Sequence, residues 1–179
     1  TGSTKVGKQI IKNSSDNLKK VSLELGGKAP NILFEDCDID SCIEANLRGG
    51  FFNQGENCTA VTRLLVHSNI IDEFTEKYLA KIKIINQGDP LNLKTEIGAL
   101  ISKEHIEKVE KYVKDGISEG AELLIGGQKP DNLPGYFYPP TVLRLQSDEN
   151  ILFKEEIFGP VVALLSFESE IEAIELANK

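Results

Sequence analysis

A cysteine ends a short polar segment of the chain, F-F-N-Q-G-E-N-C-T, which runs from Phe51 to Thr59. The segment lies between a predicted helix and a predicted strand, a place where the thiol of Cys58 can face a cleft. A thiolate held at a cleft is a strong nucleophile. The alternative is that Cys58 is a small buried hydrophobic residue, which is the commoner environment of a free cysteine. The cysteine alone leaves both interpretations open.

A glutamate in an otherwise apolar segment is the second candidate. Glu24 interrupts the alternating run V-S-L-E-L that precedes Gly26 and Gly27. A carboxylate that is partly withdrawn from water can act as a general base. The alternative is a solvent-facing side chain on an edge strand. Because a thiol nucleophile needs a group that later activates water, Cys58 and Glu24 together favour covalent catalysis with the glutamate as the base.

The chain resembles the NAD(P)-dependent aldehyde dehydrogenase superfamily over its whole length. Four motifs stand in the family's order: TGSTKVG at the start, LELGGK at 23–28, NQGENC at 53–58 and EEIFGP at 155–160. The resemblance implies that Cys58 is the catalytic nucleophile and Glu24 the general base. It implies oxidation of an aldehyde to a carboxylic acid through a thiohemiacetal and a thioester on the cysteine, with hydride transfer to NAD or NADP. The backbone N–H of Cys58 is one expected donor to the oxyanion.

The first residues of the chain resemble the second half of the family's phosphate-approach turn. In that resemblance Gly2 lets the backbone come near the cofactor pyrophosphate. Ser3 is then placed to hydrogen-bond the pyrophosphate at the N-terminus of a helix. An ordinary helix-start turn is the alternative, since a pair of glycines at this spacing is not specific.

The motif at 155–160 carries the remaining cofactor contacts that the resemblance implies. Glu156 is expected to hold the hydroxyls of the nicotinamide ribose, and Phe158 to pack beside the nicotinamide ring. Leu25 and Gly26 are expected to line the other side of that ring. A plain loop of charged and aromatic residues is the alternative here. No metal ligands are expected.

Other polar residues carry weaker signals. His67 and His105 have no partner at metal-ligand spacing, and each is expected to be structural or solvated. Lys108 falls near a position where some relatives contact the ribose, yet a solvated helix face is the favoured interpretation. Cys37 and Cys42 match no catalytic motif and are expected to pack in the interior.

The spacing of apolar residues places these motifs on alternating helices and strands. A helix followed by a turn is predicted over 5–19, and further helices over 39–52, 69–85 and 102–118. Strands are predicted over 21–25, 30–34, 63–67, 121–125, 141–145 and 161–167. This alternation is typical of an α/β fold, with a mostly parallel sheet and helices on both of its faces.

The resemblance also implies a division of the chain. Residues 1–26 are expected to be the C-terminal end of a Rossmann-like dinucleotide-binding domain, and residues 27–179 a catalytic domain that is incomplete at its C-terminus. The chain has no methionine and ends inside a predicted helix, so we expect an excerpt of a longer protein. Because the family's chain is considerably longer, the excerpt is expected to be inactive alone. The full-length protein is expected to be a homo-oligomer, either a dimer or a tetramer.

Composition limits the partners. A net charge of −8 argues against a nucleic-acid partner, which requires a clustered positive face. No apolar run approaches the roughly 20 residues of a membrane span. The three cysteines are irregularly spaced and suit neither a disulfide framework nor a zinc site, which favours a reducing, cytoplasmic location.

The substrate implied by the resemblance is a small-molecule aldehyde. The stretch FFNQGENCT is similar to that of enzymes for aliphatic or betaine aldehydes and to that of the formyl-tetrahydrofolate dehydrogenase branch. We favour a small aliphatic aldehyde or betaine aldehyde. Two other classes stay open: a non-catalytic structural or binding protein on the same fold, and a metal-binding module that uses the cysteines and histidines.

Overall fold

The computed structural model describes residues 1–179. Its central sheet has five strands: β1 (Ala29–Leu33), β2 (Val61–His67), β3 (Glu122–Ile125), β4 (Thr141–Arg144) and β5 (Val161–Phe167). The strand order is β1-β2-β5-β4-β3. Neighbouring strands are parallel, except that the edge strand β3 is antiparallel to β4. The predicted α/β class with a mostly parallel sheet is therefore confirmed.

Six α-helices connect and flank the strands: α1 (Thr4–Ser14), α2 (Ile39–Phe51), α3 (Ile71–Ile82), α4 (Lys103–Ser118), α5 (Ile151–Lys154) and α6 (Glu170–Ala177). At the start of every helix but α3, a polar side chain accepts a backbone N–H of the first turn; these caps are Ser3, Asp38, Ser102, Asn150 and Ser169. Such caps satisfy donors that have no partner within the helix, and so fix where each helix begins. None of the helices is long and apolar enough to span a membrane.

Two hydrophobic clusters cover the two faces of the sheet. Successive residues of a strand point to opposite faces, so Leu65 and Ala163 belong to one cluster, and Leu64 and Leu164 to the other. Helices α4, α5 and α6 pack on the first face, while α2 and α3 pack on the second. Because helices cover both faces, the central strand β5 is apolar on both sides, and Ser166 alone of its residues is exposed.

The N-terminal segment lies apart from these two clusters. Only Gly7 of α1 is buried, while Val6 and Ile11 are 45% and 51% exposed. The helix ends at Ser14 and a 3-10 turn follows, as the predicted combination of helix and turn requires.

The strand predicted over 21–25 is wrong. The segment is extended, but Leu25 forms only a single bridge, with Gly2, whose N–H donates to the Glu24 carbonyl at 3.1 Å. A strand needs a run of paired residues, and α1 begins two residues after Gly2, which ends the pairing. The apolar alternation correctly indicates an extended backbone. The segment is not a strand, because no neighbouring strand pairs with it along its length.

Candidate active site

A cavity of about 330 Å³ opens where the N-terminal segment, the loop before β2, helix α4 and the turn before β5 meet. It is lined by Thr1, Gly2, Ser3, Glu24, Leu25, Gly26, Cys58, His105, Lys108, Glu156 and Phe158. Every site residue that the sequence predicts is among them. The volume falls within the range of small-molecule sites, about 300–1,000 Å³. A larger depression of about 840 Å³ between α2 and α3 contains no thiol and no histidine, so the smaller cavity is the better candidate.

The loop that carries Cys58 has an unusual backbone. Asn53, Gln54 and Gly55 all have positive φ, at 52°, 57° and 71°, which turns the chain sharply after α2. The Asn53 side chain donates to the Glu56 carbonyl at 3.0 Å and holds the turn from within. Left-handed backbone at non-glycine residues is costly and is kept where surrounding contacts fix it.

Cys58 follows this turn with its thiol exposed, so the interpretation as a buried hydrophobic residue is wrong. The side chain of Asn57 accepts hydrogen bonds from the backbone N–H and the hydroxyl of Thr59, each at 3.1 Å, and so folds the loop around Cys58. The backbone N–H of Cys58 donates to no acceptor in the chain. It is therefore free to bind an oxyanion at the thiol.

Glu24 lies in the extended segment that passes the mouth of the cavity. Its carbonyl is held by Gly2, while its side chain is exposed and makes no hydrogen bond within the chain. The withdrawal from water expected of this carboxylate is thus not seen. The neighbouring Leu25 is half-buried against Gly7, whose missing side chain leaves room for it: a Cβ there would lie 2.7 Å from a Leu25 methyl carbon.

The carboxylate of Glu156 rests on the backbone of the glycine pair. Oε1 accepts the N–H of Gly27 at 3.3 Å, and a Cβ on Gly26 would lie 2.1 Å from both carboxylate oxygens. Phe158, two residues later, has a φ of 60°. The motif at 155–160 thus meets the motif at 23–28 at the cavity wall, which the order of the motifs in the sequence does not reveal.

His105 and Lys108 lie on the cavity wall, although the sequence favoured structural or solvated positions for them. His105 Nε2 lies 2.6 Å from the Phe158 carbonyl, and the two rings meet edge to face at 6.2 Å. Because a carbonyl only accepts, Nε2 carries the proton. The two residues are three apart on α4 and so share one face; the direction of that face is set by Ile106 and Val109, which are buried.

The remaining cysteines lie outside the cavity. Burial raises the pKa of the Cys37 thiol to about 11, with Cys42 contributing. Both pack against the cluster beneath α2 and α3, as expected for interior packing residues. No group of three or more His, Cys, Asp or Glu side chains is arranged to hold a metal ion.

Residues 1–179, the whole chain, match the family model described as the aldehyde dehydrogenase family. The chain belongs to this family. An aldehyde dehydrogenase of Vibrio cholerae is 46% identical over 188 residues, covering 99% of this chain and 37% of the relative. A betaine aldehyde dehydrogenase of Bacillus subtilis is 44% identical over 181 residues, with the same coverage. The chain thus spans little more than a third of the length of the relatives it matches.

Solved structures agree with the sequence relatives. The crystal structure of betaine aldehyde dehydrogenase from Staphylococcus aureus in complex with NAD+ superimposes with a TM-score of 0.96 at 41% identity. The match covers 99% of this chain and 36% of that one. At this identity the comparison supports the family as well as the fold.

The sequence assigns no role to one charged residue next to the site, Lys28. Lys28 directly follows Gly26 and Gly27 in the sequence, and its ammonium is buried without a hydrogen-bond partner. Burial lowers the pKa of Lys28 from 10.5 to about 7; Arg63 adds to the effect, and Glu156 and Glu155 oppose it. The sequence gives no sign of this, because a lysine beside two glycines is usually solvated.

Proposed function

We propose that this chain is the catalytic part of an NAD(P)-dependent aldehyde dehydrogenase, which oxidises an aldehyde to a carboxylic acid. The observation that carries the proposal is the meeting of four predicted groups on one cavity: the Cys58 thiol, the Glu24 carboxylate, the Glu156 carboxylate and the Phe158 ring. They come from three segments of the sequence, of which the first and the last are more than 130 residues apart. Family membership supports the reaction class.

The cavity wall fits a nicotinamide nucleotide. Glu156 presents a carboxylate whose only hydrogen bond within the chain is the long one from Gly27, so it has acceptor capacity for ribose hydroxyls. Phe158 adds an aromatic wall, and Gly2 and Ser3 stand at the N-terminus of α1, where backbone N–H groups favour an anion. Leu25 and Gly26 complete the apolar side.

The proposed reaction begins at Cys58. Its thiolate adds to the aldehyde carbon, and the Cys58 N–H donates to the oxyanion of the thiohemiacetal. NAD(P), held by Glu156 and Phe158, would supply the hydride acceptor for this carbon, and loss of the hydride leaves the acyl group on Cys58 as a thioester. Glu24 then takes a proton from water as the water attacks the thioester, the C–S bond breaks, and the carboxylic acid departs. Cys58 returns to its starting form.

The division of the chain is also part of the proposal. We assign residues 1–26 to the end of the dinucleotide-binding domain and residues 27–179 to the catalytic domain. The assignment is supported by the sheet, which begins at β1, and by α1, which buries only Gly7. Since the chain spans 37% of its relatives, we propose that catalysis requires the full-length protein, as a cytoplasmic homo-oligomer.

The substrate is proposed at the level of class, as a small aliphatic aldehyde or betaine aldehyde. Betaine aldehyde dehydrogenases of B. subtilis and S. aureus are 44% and 41% identical to the chain. A mitochondrial succinate-semialdehyde dehydrogenase of Arabidopsis thaliana stands at 43%, so overall identity does not choose between them. A panel of aliphatic, betaine and succinic semialdehydes, tested with NAD and with NADP, decides the substrate and the cofactor.

The test of the reaction uses the full-length protein with Cys58→Ala, Glu24→Gln and, as a matched control, Cys42→Ala. Cys58→Ala is expected to abolish NAD(P)H formation. Glu24→Gln is expected to keep a stoichiometric burst of NAD(P)H and to hydrolyse the thioester slowly. Cys42→Ala should behave as the wild type. Unchanged turnover in Cys58→Ala would favour the non-catalytic alternative, and loss of the burst in Glu24→Gln would give Glu24 an earlier role.

A further inference from the structure

The turn at Phe158 is held in a conformation that its own residue type disfavours. A φ of 60° is unfavourable at a residue with a bulky side chain, so neighbouring groups must fix it. His105 donates to the Phe158 carbonyl at 2.6 Å. The next carbonyl, of Gly159, abuts Gly55, where a Cβ would lie only 2.2 Å away. The conformation of the Phe158 turn is therefore fixed by α4 on one side and by the loop that carries Cys58 on the other.

Glu56 ties that loop to the same end of α4. It stands two residues before Cys58, and its side chain is only 10% exposed. Oε1 accepts the backbone N–H of Ile101 at 3.1 Å and lies 3.5 Å from His105 Nε2. Beside it, Gln54 Oε1 accepts the N–H of Gly98 at 3.3 Å. The loop is thus joined to the segment that leads into α4 at two points.

We propose that Glu56 and His105 are positioning residues, which fix the Phe158 turn relative to the Cys58 thiol. The proposal rests on the proposed function, in which Phe158 forms a wall beside the nicotinamide and Cys58 is the nucleophile. The Glu56–His105 pair links the loop that carries Cys58 to the Phe158 turn through the start of α4. A change in either residue therefore moves Phe158 relative to the Cys58 thiol. Glu56 does not line the cavity, and its influence on the cofactor therefore passes only through the groups it holds.

The first test is the binding of NAD+ without aldehyde, measured by titration calorimetry on the full-length protein. His105→Ala is expected to weaken binding and to slow the hydride burst by about tenfold or more, since a misplacement near 1 Å can cost about a hundredfold. His105→Gln keeps a donor for the Phe158 carbonyl and should recover most of both. The rate of thioester hydrolysis, which depends on Glu24, should stay within about twofold of the wild type.

His67→Ala is the matched control for the histidine. His67 also meets a phenylalanine edge to face, at 5.4 Å, and bonds to the backbone through its ring, but it does not line the cavity. It should leave NAD+ binding unchanged. If His105→Ala binds NAD+ as tightly as the wild type, or if His105→Gln is no better than His105→Ala, the proposal is overturned.

The second test removes the glutamate. Glu56→Ala is expected to weaken NAD+ binding to a similar degree, and the double variant Glu56→Ala/His105→Ala should be little worse than either single variant, because the two residues act together. Glu56→Gln, which keeps an acceptor for the Ile101 N–H, covers the case in which the alanine variant fails to fold, and it should bind more weakly than the wild type. Glu119→Gln is the control, since that carboxylate accepts the N–H of Ile151 away from the cavity.

The two proposals fail in different ways. If the wild type forms no NAD(P)H with any aldehyde, the proposed function fails. If the wild type is active and the effects of Glu56→Ala and His105→Ala on NAD+ binding simply add, the residues act separately and the positioning proposal alone is wrong.

Discussion

At the scale of single residues, the site depends as much on missing side chains as on reactive ones. Gly26 leaves the space that the Glu156 carboxylate occupies, and Gly55 lets two loops touch through their backbones. Glycine permits such approaches at the cost of a more flexible unfolded chain. The arrangement of the reactive groups is therefore fixed by positions that carry no chemistry themselves.

Gly26→Ala is expected to weaken NAD+ binding in the full-length protein by about tenfold or more, the effect of losing one charge-assisted hydrogen bond. The new Cβ would lie 2.1 Å from the Glu156 oxygens, so the carboxylate must move. The neighbouring Gly27→Ala is the control, because a Cβ there meets no atom within 4 Å. Calorimetric titration of both variants measures the difference, and equal affinities would contradict the geometry.

Of the residues that line the cavity, the sequence predicts those that stand in its motifs and misses those that stand outside them. Cys58, Glu24 and Glu156 stand in motifs that can be recognised, in their order, from the sequence alone. His105 is expected from the sequence to be structural or solvated and Lys108 to lie on a solvated face, because the direction of both side chains depends on which side of α4 packs on the sheet. Lys28 was missed because its burial results from the packing of Arg63 and the glycine pair around it, which no local pattern encodes.

At the scale of elements, one buried arginine connects parts distant in sequence. Arg63, in β2, donates from Nε to the Lys28 carbonyl at 2.9 Å. Its two terminal nitrogens donate to Leu176 and Ala177, the last carbonyls of α6, at 3.1 and 2.9 Å. A cation is favourable at a helix C-terminus, where carbonyls lack partners. The segment before β1 and the end of α6 are thereby both held to β2.

Arg63→Lys is expected to lower the free energy of unfolding by about 2–3 kcal/mol, because a lysine cannot satisfy three carbonyls in a fork. Arg144→Lys is the control: Arg144 pairs with the largely exposed Asp72, and such surface pairs contribute under about 1 kcal/mol. Urea unfolding of the two full-length variants compares them. Equal losses of unfolding free energy in the two variants would mean that the guanidinium of Arg63 adds nothing beyond its positive charge.

Elements whose sequence pattern is local are predicted more accurately than elements that depend on a partner elsewhere in the chain. Strand β5 has the predicted bounds, since its apolar run is long and ends at polar residues. Strand β2 begins at Val61, two residues earlier than predicted. The sequence does not indicate this because Thr62, although polar, is buried in the strand. The helix α5, only four residues long, shows no helical period and was not predicted. The strand over 21–25 failed because strand formation depends on a partner elsewhere in the chain.

At the scale of the whole molecule, a sheet covered on both faces leaves little room for charge, yet the fold buries a second cation besides Arg63, the ammonium of Lys28. Its ammonium is buried beside the cationic Arg63, and its pKa falls to about 7. The charged form is thus disfavoured in the folded protein relative to the unfolded chain, where an ordinary lysine pKa is about 10.4. Folding stability must then depend on pH through this group.

The direction follows from proton binding. Below about pH 7 Lys28 is protonated in both states, and the folded state carries the full cost of the buried charge. Between about pH 7 and 10.4 the unfolded chain binds more protons, so the stability contributed by this group rises with pH. Lys28→Met is therefore expected to stabilise the full-length protein most at pH 6 and progressively less towards pH 10, by at most about 5 kcal/mol over that range. Urea unfolding across this pH range, with the exposed Lys20→Met as control, measures the difference between variant and wild type. A difference that stays constant with pH would show that Lys28 keeps its proton throughout, and that Glu155 and Glu156 outweigh its burial.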